Sequence, residues 1–242
     1  MLHDKDIREP LFEYLEGIYG KIRILEEKNM GSSRADIVMV MENCLCGIEI
    51  KSDADSYVRL KSQVEDYDKY FDMNIIVVGT SHALQIHKHV PDYWGIITVE
   101  EINGASDFYY LRQPKDNVSM QWDKKMQFLW KPELYEIQRK YGLPKYKDKS
   151  KGYIVEKILA NVPKKIDESD LKRQMSEILF ERDYTKVKQL IKDYRRSEIQ
   201  KILDTETDSQ KRLEEMMRQA ENGRILTQRG FKKARSRHGR RR

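Results

Sequence analysis

The stretch RADIVMVMENCLCGIEIKSD, residues 34–53, constrains the fold most, because it writes charged side chains into segments that otherwise ask for burial. ADIVMVM and LCGIEIK are β-type runs, and the polar pair Glu42 and Asn43 between them is turn chemistry, so together they read as a hairpin. A turn centred on that pair sets Asp36 opposite Glu49. Residues directly opposed across an antiparallel pair share a face, with Cβ atoms roughly 5 Å apart. Two bare carboxylates in that position repel, and burial raises the pKa of at least one unless a cation neutralises them. Lys51, two residues beyond Glu49, falls on the same face. A Mg²⁺ ion, which takes oxygen ligands, answers the requirement. The plainer reading makes Asp36 and Glu49 solvent-facing strand residues and Lys51 a charge guarding a sheet edge.

The neighbouring segments place the hairpin in an α/β fold. DIREPLFEYLEGIY, residues 6–19, spaces Ile7, Leu11, Leu15 and Ile18 at helical intervals, with Asp6 as the expected cap and Gly20 as the exit. KIRILEEKN alternates as a strand. Residues 55–72 return to helical spacing through Val58, Leu60, Val64, Tyr67 and Phe71, and NIIVVG then reads as a central strand covered on both faces. HALQIHKHV is expected as a brief helix, WGIITVE as a strand and DFYYLRQP as an edge strand that Pro114 ends. The order predicts a mixed sheet with helices on its faces. From Trp122 onward the pattern is helical, so a boundary is expected near 115–121, giving a domain over 1–114, a helical, basic-rich region over 115–223 and a basic tail over 224–242.

An Asp before IVMV, the Glu-x-Lys of GIEIK and the helix and strand order around them resemble the PD-(D/E)XK nuclease superfamily, the restriction-endonuclease-like αβββαβ core, over roughly residues 4–100. QVEDY, with Gln63 and Tyr67, resembles the Gln-x-x-x-Tyr element that exonuclease-type members carry on the helix after the lysine. Ala35 stands where that family often has proline. The resemblance implies Mg²⁺ or Mn²⁺ held by Asp36, Glu49 and the carbonyl oxygen of Ile50, with Lys51 acting on the attacking water. It also implies an acid from the first helix, for which Glu9 is the choice and Glu13 and Glu16 are rivals. Asp6 and Glu9 equally fit a helix capping box, and Gln63 and Tyr67, four apart, equally suit packing along one helix side. The implied function is a metal-dependent nuclease hydrolysing phosphodiester bonds, with DNA as the expected partner. The alternative is a catalytically dormant nucleic-acid-binding module of the same fold. A protein-interaction scaffold built on the C-terminal helices ranks behind both, since it leaves the hairpin unexplained.

Charge and cysteine content narrow the rest. The net charge of +6 is a property of the tail: Arg224, Arg229, Lys232, Lys233, Arg235, Arg237, Arg240, Arg241 and Arg242 stand there without an acid, leaving −3 on the remaining 223 residues. Such a run suits a polyanion, since each phosphate it neutralises releases counterions, and it suits a solvated tail as well. No apolar stretch approaches the length of a membrane span, and MLHDKDIREP is too charged for a secretory signal, so a cytoplasmic protein is expected. Cys44 and Cys46 are too few for a structural zinc site and, one position apart on a strand, poorly placed for a mutual disulfide. His82, His87 and His89 do not converge cleanly as ligands and are expected to be solvated. Arg59 and Lys61 are read as solvated helix residues unless the site lies beside them.

Overall fold

The computed structural model describes residues 3–184 and, beyond them, scattered positions between 196 and 218. The nucleic-acid contacts expected at Arg229, Lys232, Lys233, Arg235, Arg237, Arg240, Arg241 and Arg242 therefore lie outside the described residues. Helix α1 (Asp4–Tyr19) is followed by three strands, β1 (Arg23–Met30), β2 (Ser33–Met41) and β3 (Cys44–Lys51). Helix α2 (Leu60–Tyr70), β4 (Met73–Gly79), β5 (Gly95–Ile102) and β6 (Ala105–Arg112) come next. The six strands form one mixed sheet in the order β1-β2-β3-β4-β5-β6. The outer pairs are antiparallel, and β3, β4 and β5 run parallel to one another.

Two-residue turns fix the hairpin registers. Asn43 adopts φ 62° between β2 and β3, and Asn103 and Gly104 adopt φ 54° and 81° between β5 and β6. Asparagine and glycine tolerate that left-handed region, which matches the twist of the joined strands. The β2–β3 register pairs Ile37 with Ile48 and Met41 with Cys44, the pairing a turn at Glu42 and Asn43 requires.

Alternation along the strands then makes two layers. Ile37 and Met39 of β2, Cys46, Ile48 and Ile50 of β3, and Ile75 and Val77 of β4 form one core with Ile7, Leu11 and Leu15 of α1. The opposite parity, including Asp36, Gly47, Glu49 and Lys51, faces α2. There Gly47 supplies a close approach: a Cβ on it would fall inside van der Waals distance of the Phe71 ring and 2.7 Å from Tyr67 Cδ1. Only a residue without a side chain lets α2 lie this near the sheet.

The first helix begins at Asp4, one half-turn earlier than expected, and Asp6 caps it by accepting from the His3 N–H at 3.2 Å. HALQIHKHV contains a single 3₁₀ turn, Ile86–Lys88, in place of a helix. Helices α3 (Trp122–Lys125), α4 (Lys131–Lys140), α5 (Lys151–Leu159) and α6 (Glu168–Glu181) follow the sheet. The compact unit runs from Met1 to Arg182, so residues 115–121 lie inside it. Within that segment Asn117 donates its side-chain amide to the carbonyls of Asp68 and Phe71 at 2.8 Å each. Lys125 of α3, buried, reaches Asp72 at 2.6 Å, and Asp72 in turn accepts from the Leu45 N–H of β3 at 2.7 Å. The second unit spans Asp183–Arg242, and its described residues 203–207 are helical.

Gly47→Ala is expected to lower the free energy of unfolding by about 1–3 kcal/mol, the usual cost of overpacking a filled site. Denaturant unfolding checks this, and shrinking the obstructing ring with Phe71→Leu in the same chain should recover part of the loss.

Candidate active site

Strand parity brings Asp36, Glu49 and Lys51 to one cleft of about 550 Å³. Glu49 is its buried centre, with a side chain 1% exposed. Its Oε1 accepts from Lys51 Nζ and from Gln63 Nε2, both at 2.5 Å, and its Oε2 lies 2.8 Å from the Tyr67 hydroxyl. Lys51 is itself buried, which is uncommon for lysine unless it is paired. Gln63 and Tyr67 stand one helical turn apart on α2, so the same helix side delivers both donors.

The Tyr67 hydroxyl is a junction. It accepts from the Asp36 N–H at 3.2 Å and has one proton to give, to Glu49 Oε2 or to the Ile48 carbonyl at 3.0 Å. Burial, and then the negative charge of Glu49, push the Tyr67 phenol well above its ordinary range, so it remains a protonated donor.

Asp36 is less well supplied. Its Oδ2 accepts from the Ile50 N–H at 2.9 Å, while among the described residues Oδ1 makes only a 3.7 Å approach to Arg8 Nη2. Burial and the neighbouring Glu49 raise the Asp36 pKa from 3.8 to about 7, against the smaller pull of the Ile50 N–H, Lys51 and Arg8. The two carboxylates of the hairpin thus differ: Glu49 accepts from three donors and Asp36 is left short of positive charge.

The first helix contributes a different residue from the one expected. Glu9 is exposed and does not line the cleft, and Glu13 and Glu16 are exposed too. Arg8 lines it instead, paired with Asp4, Glu26, Glu27 and Asp36 and donating to the Asp36 carbonyl at 3.3 Å. The helical period contained this signal. With Ile7, Leu11 and Leu15 facing the core, residue 9 falls about 200° round from residue 7, on the solvent side, whereas residue 8, about 100° round, flanks the buried stripe. Arg59 also lines the cleft, as does Arg34 at its mouth.

Among the described residues, no three Asp, Glu, His or Cys side chains are arranged to hold a metal ion. Asp4, Glu27, Asp36, Glu49 and Asp55 line the cleft; Arg8 pairs with Asp4 and Glu27, and Asp55 accepts from Ser52, so the oxygen donors that the hairpin itself offers are Asp36, Glu49 and the Ile50 backbone. That set suits Mg²⁺, which takes one or two protein carboxylates and fills its other positions with water and substrate phosphate. The histidines stand apart. His82 is fixed between the Tyr57 hydroxyl, 2.8 Å from Nδ1, and the Ser52 carbonyl, 3.1 Å from Nε2, so it is a structural bridge and not the solvated side chain expected. Cys44 and Cys46 are free thiols, Cys46 fully buried.

A family model described as Bacteriophage P4 protein cII matches residues 4–203. The chain belongs to this cII family. Protein cII of Enterobacteria phage P4 is 25% identical over 147 residues, covering 59% of this chain and 55% of its own length. The match therefore spans about half of that relative. Among solved structures, Pyrococcus furiosus SfsA in complex with Ca²⁺ shares 15% identity over 43% of this chain and 59% of its own, with a TM-score of 0.28, too low to carry an argument about the site.

Asp36 holds a proton in the folded protein over a pH range where the unfolded chain, titrating near 3.9, has released it. Folded stability in chelator therefore falls as pH rises from about 4 to about 7. Asp36→Asn removes that penalty and is expected to stabilise the metal-free protein at pH 8 by up to about 4 kcal/mol, with little effect at pH 4. Thermal unfolding at the two pH values checks the sign; equal effects at both would mean that Asp36 is an ordinary carboxylate.

Proposed function

We propose that this cII-family protein is a metal-dependent nuclease of the PD-(D/E)XK type that hydrolyses phosphodiester bonds, with DNA as its substrate. One observation carries the reading: a buried Glu49–Lys51 pair and an electrostatically unsatisfied Asp36 open into the same cleft. A chain using these residues only for stability gains nothing from two opposed carboxylates, since replacing buried ionic groups with apolar ones is often neutral or stabilising.

Asp36, Glu49 and the Ile50 carbonyl would hold Mg²⁺ or Mn²⁺. When bound, such an ion lowers the pKa of a coordinated water and offsets charge on the phosphate. Gln63 and Tyr67 fix the Glu49 carboxylate by donating to it, which holds its free lone pairs in one orientation. Lys51, positioned by Glu49, orients or deprotonates the attacking water. The water oxygen bonds to phosphorus, the ester P–O bond breaks, and the products are a phosphate monoester and an alcohol. Arg59 and Arg34 supply positive charge at the mouth for a backbone phosphate. The basic tail adds sequence-independent affinity, and the reaction is placed in the cytoplasm as part of the same proposal. No described helix is long and apolar enough to cross a membrane.

Purified protein incubated with linear, circular and single-stranded DNA and with RNA in Mg²⁺ or Mn²⁺ is expected to cleave DNA. Asp36→Ala and Lys51→Ala are each expected to reduce the rate by at least about 100-fold, the scale on which single catalytic groups act. Binding without cleavage by the parent chain would replace the enzyme with the dormant module. Deleting residues 224–242 should weaken DNA binding and flatten its dependence on salt.

A further inference from the structure

We infer that the basic, tyrosine-bearing segment joining α4 to α5 is a binding surface for single-stranded DNA, separate from the catalytic residues. The inference rests on the nuclease reading above only for the choice of DNA.

Residues 139–151 hold Arg139, Lys140, Lys145, Lys147, Lys149 and Lys151 against one acid, Asp148, in a body whose first 223 residues sum to −3. On an ordinary solvated surface such side chains find carboxylates, and Lys140 does, reaching Asp170 at 3.2 Å. Lys145, Lys147 and Lys149 are exposed and, among the described residues, make no ion pair with a carboxylate. Positive charge left bare at three alternate positions of one loop suits a phosphate backbone, whose charges repeat along the strand.

Tyrosines stand among these lysines. The Tyr135 hydroxyl, 3.3 Å from the Tyr146 carbonyl and 3.1 Å from that of Lys147, ties the loop to α4. Tyr146 meets Tyr153 of α5 edge-on, with ring centroids 5.3 Å apart. All three rings are half-buried, and ammonium groups lie over two of them: Lys145 over Tyr135 at 4.7 Å, and Lys149 and Lys157 over Tyr153 at 5.6 and 5.0 Å. Such cation–π contacts are weak at exposed sites. A base stacking on the ring displaces the ammonium, and the strand brings a phosphate to receive it. A duplex keeps its bases stacked on one another and offers this surface its phosphates alone, so the rings favour a single strand.

The segment also reaches towards the cleft. Lys151 lines a groove of about 660 Å³ together with Gln127, Gly152, Val155, Leu159 and Asn29 of β1, and Asn29 lines the catalytic cleft as well. The two acids of that groove are already paired, Asp123 with Lys124 at 3.5 Å and Glu156 with Lys157 at 3.0 Å. A strand held on the loop therefore has a route to Glu49 and Lys51 within one compact unit.

Fluorescence anisotropy of labelled oligothymidylate and of a labelled duplex, titrated with the full chain in chelator at several salt concentrations, tests this. Replacing Lys145, Lys147 and Lys149 together by glutamine is expected to flatten the slope of log affinity against log salt for oligothymidylate by about 2, as three phosphate contacts require, while arginine at the same positions keeps it. Tyr153→Leu is expected to weaken oligothymidylate binding about tenfold without changing that slope and to leave duplex binding alone, with Tyr153→Phe close to the parent. In Mg²⁺ the glutamine variant should raise KM for single-stranded substrate and leave kcat near that of the parent. Parent affinity and slope in the glutamine variant would overturn the inference and leave the nuclease reading standing. Equal losses on duplex and single strand in Tyr153→Leu would overturn the single-strand assignment, and tighter binding of oligouridylate would reassign the surface to RNA. Binding as expected, with no cleavage by the parent chain, would sink the nuclease reading alone. Should Tyr153→Leu fail to fold by circular dichroism, Tyr146→Leu takes its place.

Discussion

A buried carboxylate has to be given donors, and the Glu49 side chain collects three from two elements: Lys51 of its own strand and Gln63 and Tyr67 of α2. Leaving such a group unpaired costs several kcal/mol. The helix must therefore lie close enough to the sheet for a glutamine amide and a tyrosine hydroxyl to reach one residue on β3. That closeness is what Gly47 permits, two positions before Glu49 on the same face. Glycine weakens a strand interior, so its place here is explained by the contact it allows and not by strand formation.

The same geometry separates two carboxylates that the hairpin places side by side. Three donors serve Glu49, and the Asp36 carboxylate receives one backbone N–H and a distant guanidinium. The cost of burying two anions falls on Asp36, whose pKa moves to about 7, while the phenol of Tyr67 is pushed up and stays a donor. Pairs of titratable groups driven apart by their surroundings are a recurrent feature of catalytic sites. The imbalance is of the kind that a bound cation removes.

Much of this was legible in the sequence, for identifiable reasons. Strand period is two, so once Glu42 and Asn43 set the turn, the register and the shared face of Asp36, Glu49 and Lys51 followed. Helix period made Gln63 and Tyr67 neighbours. What the sequence hid was the phase of α1 relative to the cleft. The resemblance asks for an acid there, with Glu9 as the choice and Glu13 and Glu16 as rivals, but a shift of one residue turns a helix by about 100° and exchanges Glu9 for Arg8. The side chain that faces Asp36 therefore carries the opposite charge from the one sought. His82 escaped for another reason: its partners, Tyr57 and Ser52, are 25 and 30 residues away, and no local pattern announces them.

The helices after the sheet escaped in the same way, since a run of helical period says nothing about what it packs on. Two long-range ion pairs supply the answer. Arg182 reaches Glu133 at 2.5 Å, and Lys125 reaches Asp72. Asp72 follows Phe71, the residue that caps α2, and it exchanges hydrogen bonds with Leu45 through its backbone N–H at 2.9 Å and its carboxylate at 2.7 Å. Strand β3 thus anchors the helical region at Leu45, admits α2 at Gly47 and presents the site at Glu49 and Lys51. Alternate residues on one face of one strand, together with the helix they seat, join the fold's stability to the placement of its charged groups. Burying Lys125 and Asp72 as a pair is costly in isolation and is accounted for by that position: each fixes the far end of the helix whose near end holds Glu49.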